Sequence, residues 1–188
     1  RPQKELFRAL RWLGYHIDSP NDQLPAVFHG GGPREASCTV SLNESSQFAT
    51  ALLQVAPRGK WYVDLAGANL DEAPYVRMTQ EMMAAFPHGG GRFVIEPDAS
   101  SGSFFWGINL FCETVEVSNW PMTGWQIDAQ FTRFLSIPSE ISRSKDLGDS
   151  IMTAIVLAPL TGRPVTFTDL GRLRVQECER VEALRTEL

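Results

Sequence analysis

Three adjacent polar residues, Ser45, Ser46 and Gln47, stand where a helical pattern begins. In residues 48–55, apolar side chains recur at the i, i+3, i+4 and i+7 spacing of one helix face. The first backbone N–H groups of a helix have no partner within it, and the helix dipole is positive at that end. Hydroxyl and amide groups placed there can cap the helix, and the same groups can help to bind a phosphate. The pattern leaves both interpretations open.

A carboxylate, Asp149, lies in the first turn of a second apolar pattern at residues 149–158. The helix dipole favours an acidic residue there, and most such residues have no further role. If the side chain faces a cleft beside a substrate hydroxyl, however, it can act as a general base. Asp98, Ser100 and Ser101 precede another apolar pattern, for which a helix N-cap is the simplest interpretation.

The C-terminal stretch combines acidic and basic side chains. Glu177 and Arg180 are three residues apart and therefore share a helical face, as the partners of a surface ion pair would. Arg172 and Arg174 add two guanidinium groups, whose planar forks match phosphate and carboxylate groups. A solvated charged face and an anion-binding site are both compatible with this pattern.

Composition narrows the classes of function. The chain of 188 residues has a net charge of −5 and a pI near 5.2, which argues against a nucleic-acid-binding protein. Its apolar runs are too short to span a membrane, so we expect no nucleic-acid and no membrane partner. The three cysteines lie far apart, without a zinc or disulfide pattern, which favours a reducing, cytoplasmic location.

Metal and nucleotide cofactors find no support in the sequence. The three histidines, His16, His29 and His88, lie in unrelated turn or strand-edge contexts. No HExxH, GxGxxG or P-loop pattern occurs. We therefore expect neither a metal nor a cofactor.

Helical and extended patterns alternate along the chain, which predicts an α/β or α+β fold. A composition break at residues 96–98 predicts a hinge between two halves. The helices around Phe48 and Phe105 and the helix at 149–158 are apolar on several faces, which predicts that they are buried. Helices are predicted at residues 3–13, 45–56, 74–86, 100–112, 125–135, 149–158 and 175–188. Strands are predicted at residues 27–30, 38–42, 61–67, 92–98, 114–119 and 164–170.

Five sequence blocks, in this order, resemble the 5-enolpyruvylshikimate-3-phosphate (EPSP) synthase family, the 3-phosphoshikimate 1-carboxyvinyltransferases. The blocks are SSQFATALLQVAP, APYVRMT, PDASSGSFF, GDSIMTAIVLA and RVQECERVEALRTEL. The resemblance implies a two-domain fold of repeated βαβαββ units, here incomplete because the chain covers the middle of a family member. Residues 1–95 would form the later part of the first domain, and residues 96–188 the early part of the second. The active site would lie in the cleft between the domains.

The resemblance also implies a reaction. The family transfers an enolpyruvyl group from phosphoenolpyruvate to the 5-hydroxyl of shikimate 3-phosphate by addition and elimination, without a metal or cofactor, in aromatic amino-acid biosynthesis. Asp149 matches the carboxylate that contacts the reacting hydroxyl, Glu177 a proposed proton carrier, and Arg180 an arginine that binds phosphoenolpyruvate. The residues that match the shikimate 3-phosphate site are Ser45, Ser46, Gln47 and Tyr75.

Some residues depart from the family pattern. Gln176 stands in place of a lysine that helps to hold the substrates, and Glu72 in place of a serine beside the phosphate. A neutral amide cannot offset anionic substrates, and a carboxylate repels a phosphate unless it turns away. Arg172, in place of an asparagine, would add positive charge.

Two alternative functions stay open. Gln176 and Glu72 favour a non-catalytic module of the same fold that binds a phosphorylated metabolite or another protein. A UDP-N-acetylglucosamine enolpyruvyl transferase fits the SSQ and RVQECER blocks less well. We expect the chain alone to be inactive, because several substrate contacts of the family would lie outside it. We expect the parent protein to be a monomer, whereas exposed apolar edges of a partial unit can cause self-association.

Overall fold

The computed structural model describes residues 3–43, 45–67, 70–111, 115–176 and 178–188. Both helices and short strands occur along these residues, so the predicted mixed α/β class is confirmed. The chain divides into two compact units, Arg1–Ala84 and Ala85–Leu188. No helix in the described part of the chain combines the length and the apolar character needed to cross a lipid bilayer.

A parallel βαβ arrangement forms the centre of the first unit. Strands β3 and β4 pair in parallel, with Ala36 opposite Trp61, and α2 connects them. The elements of the first unit are α1 (Lys4–Trp12), β1 (His16–Asp18), β2 (Val27–His29), β3 (Ala36–Ser41), α2 (Ser46–Gly59), β4 (Trp61–Ala66), a 3-10 helix (Leu70–Glu72) and α3 (Ala73–Ala85).

The apolar positions of the central elements form the core of this unit. Val40 of β3, Ala49 of α2 and Ala9 of α1 are fully buried. Helix α2 ends at Lys60, whose backbone takes the left-handed conformation that commonly terminates a helix. Strand β3 ends at Ser41 and α2 begins at Ser46, so the polar run 45–47 lies at the start of the helix that follows this strand.

The second unit also contains a pair of parallel strands. Strands β5 and β6 pair with Glu140 opposite Thr166, and α5 lies between them in sequence. The elements are α4 (Ala99–Ile108), a 3-10 helix (Ile127–Phe134), β5 (Glu140–Ser142), a π-helical turn (Arg143–Leu147), a 3-10 turn (Gly148–Ser150), α5 (Ile151–Leu157), a 3-10 turn (Ala158–Thr161), β6 (Thr166–Thr168), a 3-10 helix (Leu170–Arg174) and α6 (Arg180–Glu187).

Most predicted helices are observed, with three differences. The stretch 125–135 forms a 3-10 helix, and the last helix begins at Arg180 rather than at residue 175. Helix α4 is less buried than predicted, because Phe104 and Phe105 are each more than half exposed. An apolar composition on several faces thus predicted burial correctly for α5, whose Ile151 and Ala154 are fully buried, and wrongly for much of α4.

The strand predicted at residues 92–98 is wrong. Pro97 cannot donate a ladder hydrogen bond, and the apolar Val94 and Ile95 are largely exposed. Residues 115–119 are likewise not a strand, and the predicted strand at 164–170 is shortened to Thr166–Thr168.

Instead of strand pairing, the side chain of Glu96 organises this segment. It accepts hydrogen bonds from the backbone N–H groups of Met122 and Thr123 (3.0 Å each), from Thr123 Oγ1 (2.9 Å) and from Gln126 Nε2 (3.3 Å). Burial acts to raise the pKa of Glu96, but the hydrogen bonds from Thr123, Gln126 and Met122 outweigh it, and the net pKa is lowered. The ionised carboxylate therefore ties residues 122–126 to this segment.

We expect Glu96→Gln to reduce the dependence of stability on pH in the acidic range. Because the folded pKa lies below that of the unfolded chain, the stabilisation is complete above about pH 4.3 and is lost as the pH falls through the folded value. Urea unfolding at about pH 7 should show a loss of roughly 1 kcal/mol in the variant, and the difference should shrink toward about pH 3. Glu140→Gln, at an exposed glutamate, is the control. An equal difference between Glu96→Gln and wild type at both pH values would contradict this role.

Candidate functional site

Ser45 caps helix α2, as its residue type and position predict. Its backbone is extended and its Oγ accepts a hydrogen bond from the backbone N–H of Gln47 at 3.2 Å. Ser45 and Ser46 are both buried, whereas Gln47 is exposed. The predicted cap is confirmed, and the polar run lies just beyond β3, at the carboxyl end of the first strand of the βαβ arrangement.

Ser46 binds a buried carboxylate at the same helix end. Its Oγ donates to Oε2 of Glu72 at 2.7 Å, and Glu72 is only 5% exposed. A carboxylate is stabilised at a helix N-terminus by the dipole and by the hydroxyl donor. The place that could seat a phosphate therefore already has a negative side chain hydrogen-bonded to one of its hydroxyls.

Tyr75 lies in the first turn of α3, three residues after Glu72. It is partly buried, and its carbonyl accepts a hydrogen bond from Thr79 Oγ1 at 3.1 Å. The hydrogen bond between Ser46 and Glu72 therefore links the start of α2 to the 3-10 turn that leads into α3. Through this link, the structure brings the predicted serine and tyrosine stretches of the first unit to neighbouring helix starts.

In the second unit, one cavity joins three of the stretches that the sequence singled out. It has a volume of about 490 Å³ and is lined by Ser100 and Ser101 of α4, Asp149, Met152 of α5 and Arg180 of α6. Glu187 of α6 lines it as well, so two carboxylates, hydroxyls and a guanidinium group share the same space. This combination can bind an anion and hold a proton acceptor near it.

Asp149 is held by an arginine that is buried completely. Arg143 is 0% exposed at its side chain and donates from Nε (3.2 Å) and Nη2 (2.7 Å) to Oδ1 of Asp149, which is 29% exposed. Two donors to one oxygen fix the orientation of the carboxylate. Asp149 lies in the turn that follows β5, so its chain position parallels that of the Ser45–Gln47 run after β3.

Arg180, which lines the cavity, begins α6 and donates from Nη1 to the sulfur of Met152 at 3.6 Å. The other two arginines of the predicted basic cluster lie elsewhere. Arg174 pairs with Glu179 at 3.1 Å, and Arg172 is buried, with 7% exposed. Of the three arginines, Arg180 is among the residues that line this cavity, and Arg172 and Arg174 are not.

Of the two predicted site residues that precede α6, the structure describes Gln176 but not Glu177. Gln176 is partly buried, and its Oε1 is buried and has no hydrogen-bond partner among the described residues. Glu177 lies outside the described residues, so its predicted role stays a prediction.

Sequence reasoning missed Arg143 and the contact of Glu72 with Ser46. Arg143 falls in the polar run 139–149, which has the composition of a solvated loop, and its residue type gives no sign of burial. Glu72 was noted as a departure from the family, but its partner lies 26 residues away in sequence. Neither contact has a local signature.

The family model and the individual proteins that match this chain carry the same name. Residues 1–89 match the family model of EPSP synthase (3-phosphoshikimate 1-carboxyvinyltransferase). The whole chain is 32% identical to the 3-phosphoshikimate 1-carboxyvinyltransferase of Rhizobium etli (strain CIAT 652), over 50% of that protein. Over 98% of its residues, the chain is 31% identical to the same-named protein of Pseudomonas savastanoi pv. phaseolicola. Over all of its residues, it is 27% identical to the same-named protein of Opitutus terrae. The chain thus spans about half the length of these relatives, and the resemblance that the sequence blocks predict is confirmed.

We expect Arg143→Met to destabilise the second unit by roughly 3 kcal/mol, because methionine fills much of the space but leaves Asp149 without its buried partner. Urea unfolding at neutral pH, followed by tryptophan fluorescence, measures the loss. Arg133→Met, at an exposed arginine of the same unit, is the matched control and should change stability by less than about 0.5 kcal/mol. Equal unfolding midpoints for the two variants would show that the ion pair does not hold this region.

Proposed function

Because the chain resembles the EPSP synthase family along its whole length, we propose that it supplies substrate-binding and acid–base groups of a 3-phosphoshikimate 1-carboxyvinyltransferase. The reaction joins the enolpyruvyl group of phosphoenolpyruvate to the 5-hydroxyl of shikimate 3-phosphate and releases phosphate. The observation that carries this proposal is the buried pair of hydroxyls, Ser45 and Ser46, at the N-terminus of α2. The backbone N–H groups and the positive dipole at a helix start suit a phosphate monoester.

We propose that Ser45, Ser46, Gln47 and Tyr75 bind shikimate 3-phosphate. The Ser46 hydroxyl already donates to a carboxylate, so its geometry suits an anionic acceptor. For the phosphate to take that place, the Glu72 carboxylate has to turn away, because two anions at one donor repel each other. Binding is therefore weaker than in a site with a neutral residue at position 72.

We propose that Asp149 accepts the proton of the reacting hydroxyl and that Arg180 binds phosphoenolpyruvate. The two hydrogen bonds from Arg143 to Oδ1 hold that oxygen in place, which leaves the carboxylate positioned as a base that meets a hydroxyl needs to be. Arg180 lines the same cavity and carries the positive charge that suits a carboxylate or phosphate. Glu177 as proton carrier and Gln176 as a weaker substitute for a lysine belong to the same proposal.

At the level of the fold, we propose that residues 1–95 belong to the first domain and residues 96–188 to the second. The repeat of a parallel strand pair with an intervening helix, β3–α2–β4 and β5–α5–β6, supports a chain built from βαβαββ units. In both, the proposed site residues follow the first strand, the end at which parallel strands usually present a ligand site.

A second candidate, a non-catalytic module that binds a phosphorylated metabolite, is favoured by the buried Glu72 at the helix end. Such a module would bind shikimate 3-phosphate or a similar anion without a second substrate. The transferase requires a second anion site for phosphoenolpyruvate. Measuring the binding of the two ligands separately therefore distinguishes the two functions.

We expect calorimetry to detect binding of shikimate 3-phosphate, to show weaker binding for Ser46→Ala, and to show about tenfold tighter binding for Glu72→Gln. Removing one negative charge beside the phosphate lowers the electrostatic cost of binding, and a factor of ten corresponds to about 1.4 kcal/mol. Glutamine keeps the size of the side chain, so the comparison isolates the charge.

Two control variants accompany this experiment. Glu35→Gln removes the same charge from an exposed position of the first unit, and Ser139→Ala removes an exposed hydroxyl. Both should bind shikimate 3-phosphate as the wild type does. If Glu72→Gln and Glu35→Gln bind equally, or if Ser46→Ala binds as tightly as wild type, the phosphate does not bind at this helix end.

We expect phosphoenolpyruvate to bind in the presence of saturating shikimate 3-phosphate, with at least about tenfold loss of affinity in Arg180→Gln. The control is Arg185→Gln, on the same helix, because the Arg185 side chain is 78% exposed and pairs with Glu182. A fluorescence or calorimetric titration measures both. Binding of shikimate 3-phosphate without any binding of phosphoenolpyruvate would favour the non-catalytic module.

A further inference from the structure

The hairpin of β1 and β2 brings two histidines together on one face. The strands pair in antiparallel fashion, with His16 directly opposite His29 and Ile17 opposite Phe28. Side chains alternate between the two faces of a strand, so Asp18 lies on the same face as His16. We expected His16 and His29 to lie in unrelated contexts, because β1 was not predicted; their pairing across the hairpin corrects that expectation.

The polar atoms of these three residues converge. Asp18 Oδ2 lies 2.7 Å from His29 Nε2, and Asp18 Oδ1 lies 3.3 Å from His16 Nε2. All three potential ligand atoms lie within 4.8 Å of one another. In a tetrahedral zinc site the ligand atoms are about 3.3 Å apart, as metal–nitrogen distances of about 2.0 to 2.1 Å require. The two measured separations of 2.7 and 3.3 Å and the 4.8 Å limit bracket this spacing.

The other face of the hairpin is anchored, which keeps the three residues in register. Ile17 is buried, and the rings of Phe28 and Phe7 meet edge to face at 5.5 Å. Arg11 of α1 donates to the carbonyl of Ile17 at 3.2 Å and to Asp22 at 2.8 Å. Because helix α1 holds the inner face, the ligand side chains are presented outward by a supported backbone rather than by a free loop.

The residue types of the cluster also suit a transition-metal cation. Two imidazoles and one carboxylate form a ligand set that zinc and neighbouring transition metals accept, whereas Mg²⁺ and Ca²⁺ prefer oxygen ligands alone.

We propose that His16, Asp18 and His29 form a surface site for one divalent transition-metal ion of the zinc class. All three side chains are exposed, so the remaining coordination positions are open to water or to a donor from another molecule. The ion ties β1 to β2 across a hairpin of only three residue pairs. Since the site requires the folded hairpin, metal binding stabilises the first unit. This inference is independent of the proposed transferase function.

The test is a calorimetric titration of the untagged chain with Zn²⁺, and separately with Mg²⁺. We expect one Zn²⁺ per chain and no Mg²⁺ binding at this site. His16→Gln and His29→Gln should each weaken Zn²⁺ binding by on the order of tenfold or more, because each removes one of three ligands. His88→Gln removes the remaining histidine, which is exposed and remote in sequence, and should leave the affinity unchanged.

A spectroscopic measurement assigns the ligands directly. On addition of Co²⁺, the imidazole proton resonances of His16 and His29 should shift, while that of His88 should not. Asp18→Asn serves as a further variant that leaves both histidines in place, and circular dichroism without metal checks that every variant is folded. If zinc binds with unchanged affinity to His16→Gln, His29→Gln and Asp18→Asn, the proposal is overturned. The exposed thiol of Cys178 would then be a candidate ligand. Absence of zinc binding in the wild type overturns it equally.

Discussion

The structure of the first unit depends on how the N-terminus of α2 is satisfied. Ser45 accepts from the backbone N–H of Gln47, and Ser46 donates to the buried carboxylate of Glu72. The same donors and the same dipole would bind a phosphate, so folding and ligand binding draw on one set of groups. The carboxylate of Glu72 joins the start of α2 to the turn before α3. Under the proposed function it also sets the electrostatic cost of admitting an anion.

In the second unit a carboxylate is again held near the start of a helix, but by a buried arginine rather than by a serine hydroxyl. Its carboxylate, Asp149, follows β5 and is oriented by the buried guanidinium of Arg143. Burying an arginine costs free energy of folding unless its charge is paired, so the ion pair is needed for stability. The same pair orients the carboxylate of Asp149. Arg180 and the hydroxyl-bearing start of α4 complete a cavity in which an anion and a proton acceptor can meet.

The sequence predicts those features of the fold and the site that depend on interactions between residues close in sequence. The caps at Ser45 and Asp98 follow from residue type next to an apolar pattern, and β3 and β4 follow from their extended apolar runs. The strand predicted at 92–98 failed because Glu96 binds residues 122–126 instead, a contact that no local pattern announces. The burial of Arg143, the partner of Glu72 and the pairing of His16 with His29 were missed for the same reason: each joins residues through the tertiary fold.

We propose that the N-terminus of α2 is an anion site in which the substrate phosphate displaces the Glu72 carboxylate. A crystal structure of the chain with shikimate 3-phosphate would decide this. We expect phosphate oxygens within hydrogen-bond distance of the Ser45 or Ser46 hydroxyl, with the Glu72 carboxylate turned away from Ser46. A bound phosphate at another place, with the 2.7 Å contact between Ser46 and Glu72 intact, would contradict it.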